Sequence, residues 1–124
     1  MFKNLFSTEK KPSTKWEELT QAGDLDQYDE LSVDKPVVIF KHSTRCGVSS
    51  MAQSGLQREF ERIADKVHFR YLDLIKNRPI SNLIAERYHV RHESPQLIII
   101  KNKKVLGHTS HSGVSVAFIE SHLS

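Results

Sequence analysis

Residues 36–49 read PVVIFKHSTRCGVS, and this stretch carries the strongest signals of fold and chemistry in the chain. Its first half, Val37 to Phe40, is an unbroken apolar run that is typical of a strand buried on both faces. A helix-patterned segment follows, so Cys46 is expected at a strand-to-helix turn. Cys46 is the only cysteine, and it therefore cannot form an internal disulfide. The stretch predicts redox chemistry by one thiol, with the partner sulfur supplied by another molecule.

The hydrophobic spacing on both sides of this stretch predicts alternating strands and helices. Before this stretch, the sequence predicts an edge strand over residues 16–19 and a helix over 21–31 capped by Thr20. After it, the sequence predicts a helix over 48–64, a strand over 67–73 and a helix with Pro79 in its first turn. The last predicted elements are a strand over 97–100, a hairpin strand over 105–109 and a helix over 114–122. An alternative starts the first helix earlier, with Thr14 and Glu17 as a capping box. This order predicts an α/β fold with a central mixed sheet, which has parallel pairs, a C-terminal antiparallel hairpin and helices on both faces.

Two of the predicted helices have a clear apolar face. The helix over 48–64 is expected to bury Val48, Ala52, Leu56, Phe60 and Ile63, with Val48 packing the helix onto the sheet. The helix that Pro79 opens is expected to bury Ile80, Leu83, Ile84 and Tyr88, because proline lacks only an N–H that the first turn does not need.

The composition bounds the class of protein. A chain of 124 residues, with 38% hydrophobic and 27% charged residues, predicts a single domain over residues 1–124, in which the polar residues 1–15 form a loose arm. No apolar segment approaches the ~20 residues of a membrane helix, and the first residues lack the features of a signal peptide. One cysteine then fits a reducing cytoplasm, with no membrane partner. The net charge of +3 is scattered, which argues against nucleic-acid binding.

The neighbours of Cys46 are expected to favour its thiolate, which is the nucleophile in disulfide exchange. The first N–H groups of the following helix and the positive end of its dipole stabilise an anion. Arg45 adds a positive charge, and His42 and Lys41 add more if the loop folds back. Together these groups are expected to lower the thiol pKa from its free value of ~8.5 toward neutrality.

Gly47 and Ser49 complete the motif Cys-Gly-Val-Ser. Gly47 is expected to leave room for an incoming sulfur. Ser49 stands where a two-cysteine oxidoreductase carries its second thiol, three residues on. A hydroxyl can donate a hydrogen bond to the thiolate but cannot resolve a mixed disulfide, so an external thiol must clear Cys46.

The histidines do not predict a metal site. His89 and His92 are three residues apart, as are His108 and His111. Zinc sites generally use four ligands with matched spacings, and nothing else in the sequence completes such a set. We expect no bound metal.

The chain resembles the thioredoxin fold in two features. Its thiol follows the first central strand, and a proline opens its terminal hairpin. In that fold a cis proline faces the reactive cysteine, which here implies Pro95. The residue before the proline binds the backbone of the substrate chain as an added strand, which implies a substrate-binding role for Ser94.

Within this fold, residues 40–46 (FKHSTRC) and 49–52 (SSMA) closely resemble the YtxJ-like monothiol bacilliredoxins, and the resemblance runs from about Trp16 to the C-terminus. It implies a thiol-disulfide oxidoreductase of the bacterial cytoplasm. Cys46 would remove a low-molecular-weight thiol, bacillithiol, from S-thiolated client proteins. The thiol is then a co-substrate, no cofactor is bound, and the reductant is a small thiol or a partner redoxin. Separately from the resemblance, we expect a monomer. Members of this family often carry proline or another residue at the position of Gly47, so the glycine is a departure from the family pattern.

Two alternatives remain open at this point. Cys-Gly-Val-Ser is one substitution from the Cys-Gly-Phe-Ser signature of monothiol glutaredoxins, which bind a [2Fe–2S] cluster between two chains. The spacing of Lys41 from Cys46 and the absence of a Gly-Gly-Cys-Asp segment after the hairpin argue against that function. The other alternative is a non-catalytic interaction module, against which Arg45 and the Ser94–Pro95 pair argue.

Overall fold

The computed structural model describes residues 16–43 and 47–123. The predicted N-terminal arm and the residues Thr44, Arg45 and Cys46 lie outside the described residues. The strands are β1 (Glu17–Glu18), β2 (Val37–His42), β3 (His68–Asp73), β4 (Gln96–Lys101) and β5 (Lys104–Ser110). The helices are α1 (Asp24–Asp34), α2 (Gly47–Glu59), α3 (Arg78–Tyr88) and α4 (Val116–Glu120), with 3₁₀ turns at Phe60–Arg62 and His111–Gly113.

One mixed sheet organises these elements, with the strand order β1-β3-β2-β4-β5. β3 is parallel to both β1 and β2, whereas β4 is antiparallel to both β2 and β5. The hairpin between β4 and β5 turns at Asn102 and Lys103, which both have positive φ (54° and 69°), as a type I′ turn requires. The predicted mixed sheet with its C-terminal hairpin is confirmed.

The sheet separates two hydrophobic cores. Successive residues of a strand point to opposite faces, so Val37 and Ile39 join the core beneath α1 and α3, while Val38 and Phe40 join the core beneath α2 and α4. All four are fully buried. The predicted double-sided burial of β2 and the predicted placement of helices on both faces are confirmed.

The first helix differs from its prediction at both ends. Glu17 pairs with Arg70 in the sheet, so the edge strand is confirmed and the capping-box alternative is wrong. The backbone N–H of Leu19 still donates to Tyr71 of β3 (2.8 Å), and the chain uses the next residues to turn away from the sheet before α1 begins at Asp24. At the far end, Pro36 holds the preceding residue in an extended conformation, so the helix stops at Asp34.

The helix after the thiol does not bury Val48 as predicted. Val48 is 48% exposed, whereas Ser49 and Leu56 are fully buried. At 100° per residue, Ser49 lies about 20° from Leu56 around the helix, but Val48 lies about 80° from it. Spacings of four residues drift away from a straight face, and the polar Ser49 takes the inward position.

Two smaller predictions are also corrected. Leu83 is 40% exposed, because it lies about 100° around α3 from the buried Ile84. The closing helix begins at Val116 instead of Val114, since Ser115 is extended and its side chain caps the helix by accepting a hydrogen bond from the backbone of Phe118. Among the described residues, no helix has both the length and the apolar character needed to span a bilayer.

Candidate active site at the start of α2

Ser49 marks the place where three segments of the chain meet. It lies in the first turn of α2 and is fully buried. Its Oγ accepts a hydrogen bond from the backbone N–H of Ser43 (3.1 Å) and lies 3.5 Å from Oγ of Ser94. The end of β2, the start of α2 and the loop before β4 therefore converge on this hydroxyl.

Cys46, the predicted nucleophile, directly precedes the helix that contributes Ser49 to this junction. Cys46 is bonded to Gly47, the first residue of α2, and precedes Ser49 by three residues. Because Cys46 and Arg45 lie outside the described residues, their roles stay predictions. Gly47 is exposed, and among the described residues a Cβ added to it would meet no atom within 4 Å. Its role in leaving room for an incoming sulfur stays a prediction.

The Ser94–Pro95 pair lies across the junction from α2. The peptide bond between them is cis, as the resemblance to thioredoxin-like folds implies. The carbonyl of Pro95 accepts a hydrogen bond from His111 N (2.8 Å). The hydroxyl of Ser110 donates to the carboxylate of Glu93. Two bonds thus fix the loop before β4 to the turn that follows β5.

His42 lies at the end of β2 and is 2% exposed. Burial lowers the pKa of its ring, and the opposing effects of Asp73 and of a hydrogen bond with the backbone of Ser49 are smaller. The ring is therefore largely neutral at neutral pH and packs between Phe40 and Tyr71, with ring centroids 5.6 Å away on each side. This differs from the prediction that His42 adds positive charge.

Lys41 does not belong to a loop but to β2, where it is fully buried. Its Nζ donates to the carbonyl of Ser81 in α3 (3.3 Å) and lies 3.3 Å from Nδ1 of His92. Burial, reinforced by the charge of Arg78, lowers the pKa of Lys41 to about 8. Sequence reasoning missed this cluster. The available signal was a lysine that continues a strand buried on both faces.

Two cavities differ in their relation to this junction. The larger, ≈ 480 Å³, lies near the start of β2, and no residue of the predicted site lines it. The smaller, ≈ 360 Å³, lies beside the first turns of α2 and is lined by the exposed Val48 and Met51, by Ala52, and by residues of the turn after β5. The smaller cavity is the relevant one because it lies beside the start of α2, the helix that directly follows the predicted nucleophile. Within the described ranges, no group of three or more histidine, cysteine or acidic side chains is placed to hold a metal ion.

The fold and this junction define a thioredoxin-fold oxidoreductase. A solved structure described as a candidate oxidoreductase with a thioredoxin fold matches with a TM-score of 0.72 and 25% identity, over 88% of this chain and 94% of that one. Reduced thioredoxin pre-protein from Schistosoma mansoni matches with 0.64 and 28%, over 87% and 94%. Mitochondrial thioredoxin 3 from Saccharomyces cerevisiae, at 0.63 and 22% over 89% and 94%, supports the fold alone.

The family follows from the sequence profile of the monothiol bacilliredoxins. The profile described as "Monothiol bacilliredoxin BrxC" matches residues 17–119. The chain therefore belongs to the monothiol bacilliredoxin family, and the resemblance drawn from the residues around the thiol is confirmed.

Proposed function

We propose that this protein is a cytoplasmic exchange enzyme that removes bacillithiol from mixed disulfides on client proteins through Cys46. The observation that carries the proposal is the buried Ser49. It occupies the place of a resolving thiol, three residues after the only cysteine, and contacts the loop of the cis proline. Membership of the bacilliredoxin family supports the choice of bacillithiol.

The first step exchanges one disulfide for another. The thiolate of Cys46 attacks the bacillithiol sulfur of the client's mixed disulfide. The bond between Cys46 and bacillithiol forms as the bond between bacillithiol and the client breaks, and the client cysteine leaves as a thiolate that takes up a proton. No net oxidation occurs, because one disulfide replaces another.

The second step needs an external thiol because Ser49 cannot resolve the new disulfide. A second bacillithiol, or a cysteine of a partner redoxin, attacks the bacillithiol sulfur held on Cys46. Cys46 leaves as the thiolate, and the oxidised product is a disulfide between bacillithiol and the attacking thiol. The enzyme then returns to its starting state.

Local groups favour the thiolate in both steps. The N-terminal N–H groups and dipole of α2, which is 13 residues long, favour an anion beside Gly47. Arg45 adds positive charge. Ser49 Oγ already accepts a hydrogen bond from Ser43, so its own hydrogen can turn toward the sulfur. Ser94 and Pro95 supply the backbone edge along which the client chain adds as a strand.

Release of bacillithiol from a client with a single modified cysteine, followed by intact-protein mass spectrometry, tests the proposal. Wild type is expected to free the client and to gain the mass of bacillithiol, whereas Cys46→Ala does neither. Ser50→Ala, which alters an exposed serine beside Ser49, is the control and keeps full activity. Equal release by wild type and Cys46→Ala would refute the exchange function. Stoichiometric iron and labile sulfide in protein purified without oxygen would instead support the cluster-binding alternative.

A further inference from the structure

The loop before β4, residues 91–95, has no regular secondary structure, yet each of its residues is held by a separate contact. The partners are Gln96 for Arg91, Lys41 for His92, Ser110 for Glu93, Ser49 for Ser94 and His111 for Pro95. Among these five partners, only Lys41 contacts the loop through a charged group. The contact between Lys41 and His92 therefore differs in kind from the other four.

Lys41 reaches this loop from inside the sheet. It is paired with Gln96, the first residue of β4, so the two side chains lie on the same face. Its Nζ lies 3.3 Å from Nδ1 of His92 and donates to the carbonyl of Ser81 in α3 (3.3 Å). The hydroxyl of Ser81 lies 3.2 Å from the same nitrogen of His92. One ammonium group thus joins β2, α3 and the loop before β4.

The contact with Lys41 fixes the tautomer of His92. An ammonium group has only donors, so Nδ1 of His92 must accept from it. Burial and the charge of Lys41 both lower the pKa of His92, so the ring is largely neutral at neutral pH and carries its proton on Nε2. The orientation of the ring therefore depends on a donor that β2 supplies.

Lys41 is an unfavourable residue for the stability of the core. It is fully buried, and among the described residues its two contacts are a carbonyl and a neutral ring instead of a carboxylate. Burial lowers its pKa to about 8, because the protonated form loses hydration. An apolar side chain of similar volume would avoid this penalty. The presence of lysine here indicates a role other than stability.

We propose that Lys41 is a positioning residue for client binding, which acts through His92 to hold the backbone of Ser94 where the client chain pairs with it. This inference rests on the proposed function, in which the client adds as a strand along that backbone. His92 precedes Ser94 by two residues, so their Cα atoms are at most about 8 Å apart, and a shift of the His92 ring reaches the pairing groups. Because Lys41 is fully buried, it does not contact the client itself.

Steady-state kinetics with two substrates separates positioning from an effect on the thiol. One substrate is a client modified with bacillithiol, and the other is bis(2-hydroxyethyl) disulfide, which has no peptide backbone. Lys41→Met is expected to raise KM for the client about fivefold, the effect of one lost hydrogen bond, with kcat and the rate with the small disulfide unchanged. Lys101→Met, which removes an ammonium that donates to backbone carbonyls at the end of α1, is the control. Equal slowing with both substrates, or with neither, overturns the positioning role.

Two replacements of His92 test the route from Lys41 to the loop. Oδ1 of asparagine can accept a hydrogen bond in place of Nδ1, whereas leucine has no acceptor. His92→Asn is expected to keep KM for the client within about twofold, and His92→Leu to raise it about fivefold. The double variant Lys41→Met/His92→Leu should show no more than either single change, because both break one contact. Equal KM values for the two His92 variants, or additive effects in the double variant, contradict this route.

NMR relaxation of backbone amides tests the positioning role even if the proposed chemistry fails. In wild type, the ¹⁵N order parameters of residues 92–94 should be near 0.85, the value of a rigid backbone, and in Lys41→Met they should fall toward about 0.6. Lys101→Met should keep the wild-type values. Equal order parameters in wild type and Lys41→Met refute the positioning role whatever the kinetics give. No reaction of wild type with either substrate, together with lower order parameters in Lys41→Met, refutes only the proposed disulfide exchange.

Discussion

Replacing Lys41 by methionine should stabilise the protein near neutral pH and should do so less as the pH rises. Lys41 is fully buried, and its pKa falls from 10.5 to about 8. Each pKa unit corresponds to about 1.4 kcal/mol, so keeping the buried ammonium charged costs the folded state roughly 3 kcal/mol. Methionine removes that cost with a side chain of similar length, but it takes the lysine donor away from the carbonyl of Ser81, which costs about 1 kcal/mol. Nδ1 of His92 keeps the hydroxyl of Ser81 as a hydrogen-bond partner at 3.2 Å. The net expectation at pH 7 is about 2 kcal/mol of added stability.

The pH dependence follows from proton linkage. Below the folded-state pKa of about 8, lysine is protonated in both states and the cost is present in full. Between about 8 and 10.5, the unfolded chain binds more protons than the native one, so the stability of wild type rises with pH. The advantage of Lys41→Met should therefore fall by about 2.5 kcal/mol from pH 7 to pH 10.

Urea unfolding of both proteins at pH 7, 8, 9 and 10 measures this difference. Other titrating groups are shared by the two proteins and cancel in the subtraction. Lys101→Met is the control, since Lys101 is only half-buried and donates to backbone carbonyls at the end of α1. A difference between wild type and Lys41→Met that stays constant over this pH range would refute the reasoning.

Three further predictions concern the start of α2 and the turn after β5. Ser49→Ala should raise the midpoint of the pH profile for alkylation of the only thiol by about one pH unit, because a hydrogen bond to the thiolate is lost. The control Ser50→Ala should leave this profile unchanged. An unshifted midpoint in Ser49→Ala contradicts the role given to the Ser49 hydroxyl. Gly47→Ala should preserve exchange and raise the free energy of unfolding by up to about 0.5 kcal/mol, since an added Cβ meets no atom of the described residues within 4 Å. A marked loss of exchange would mean that the incoming sulfur needs the glycine. Gly113→Ala should lower the free energy of unfolding by about 1–3 kcal/mol in a urea titration, because the new Cβ would collide with the side chain of Thr109. Unchanged stability would show that the turn after β5 can shift to make room for the new methyl group.

Part of the fold follows from short-range signals in the sequence. β2 and β4 were predictable because an unbroken apolar run has few alternatives to a strand covered on both faces. Pro79 predicted the start of α3, since a residue that lacks an N–H costs least in the first turn. The predicted helix boundaries were less accurate than the predicted strands. α1 can begin only after the chain has left β1, and the length of β1 depends on its pairing with β3 in the sheet.

The features of the candidate site also fall into those that the sequence indicates and those that only the structure decides. The sequence by itself determined which residue is the only candidate for a thiol nucleophile, which residue stands three positions after it and which proline opens β4, because each depends on residue type and spacing. Only the tertiary structure decided that Val48 faces outward, that His42 is largely neutral and that Lys41 meets Ser81 and His92. The state of a charged or titratable group depends on the burial and the partners that distant segments supply, and those segments come together only when the sheet and its helices assemble.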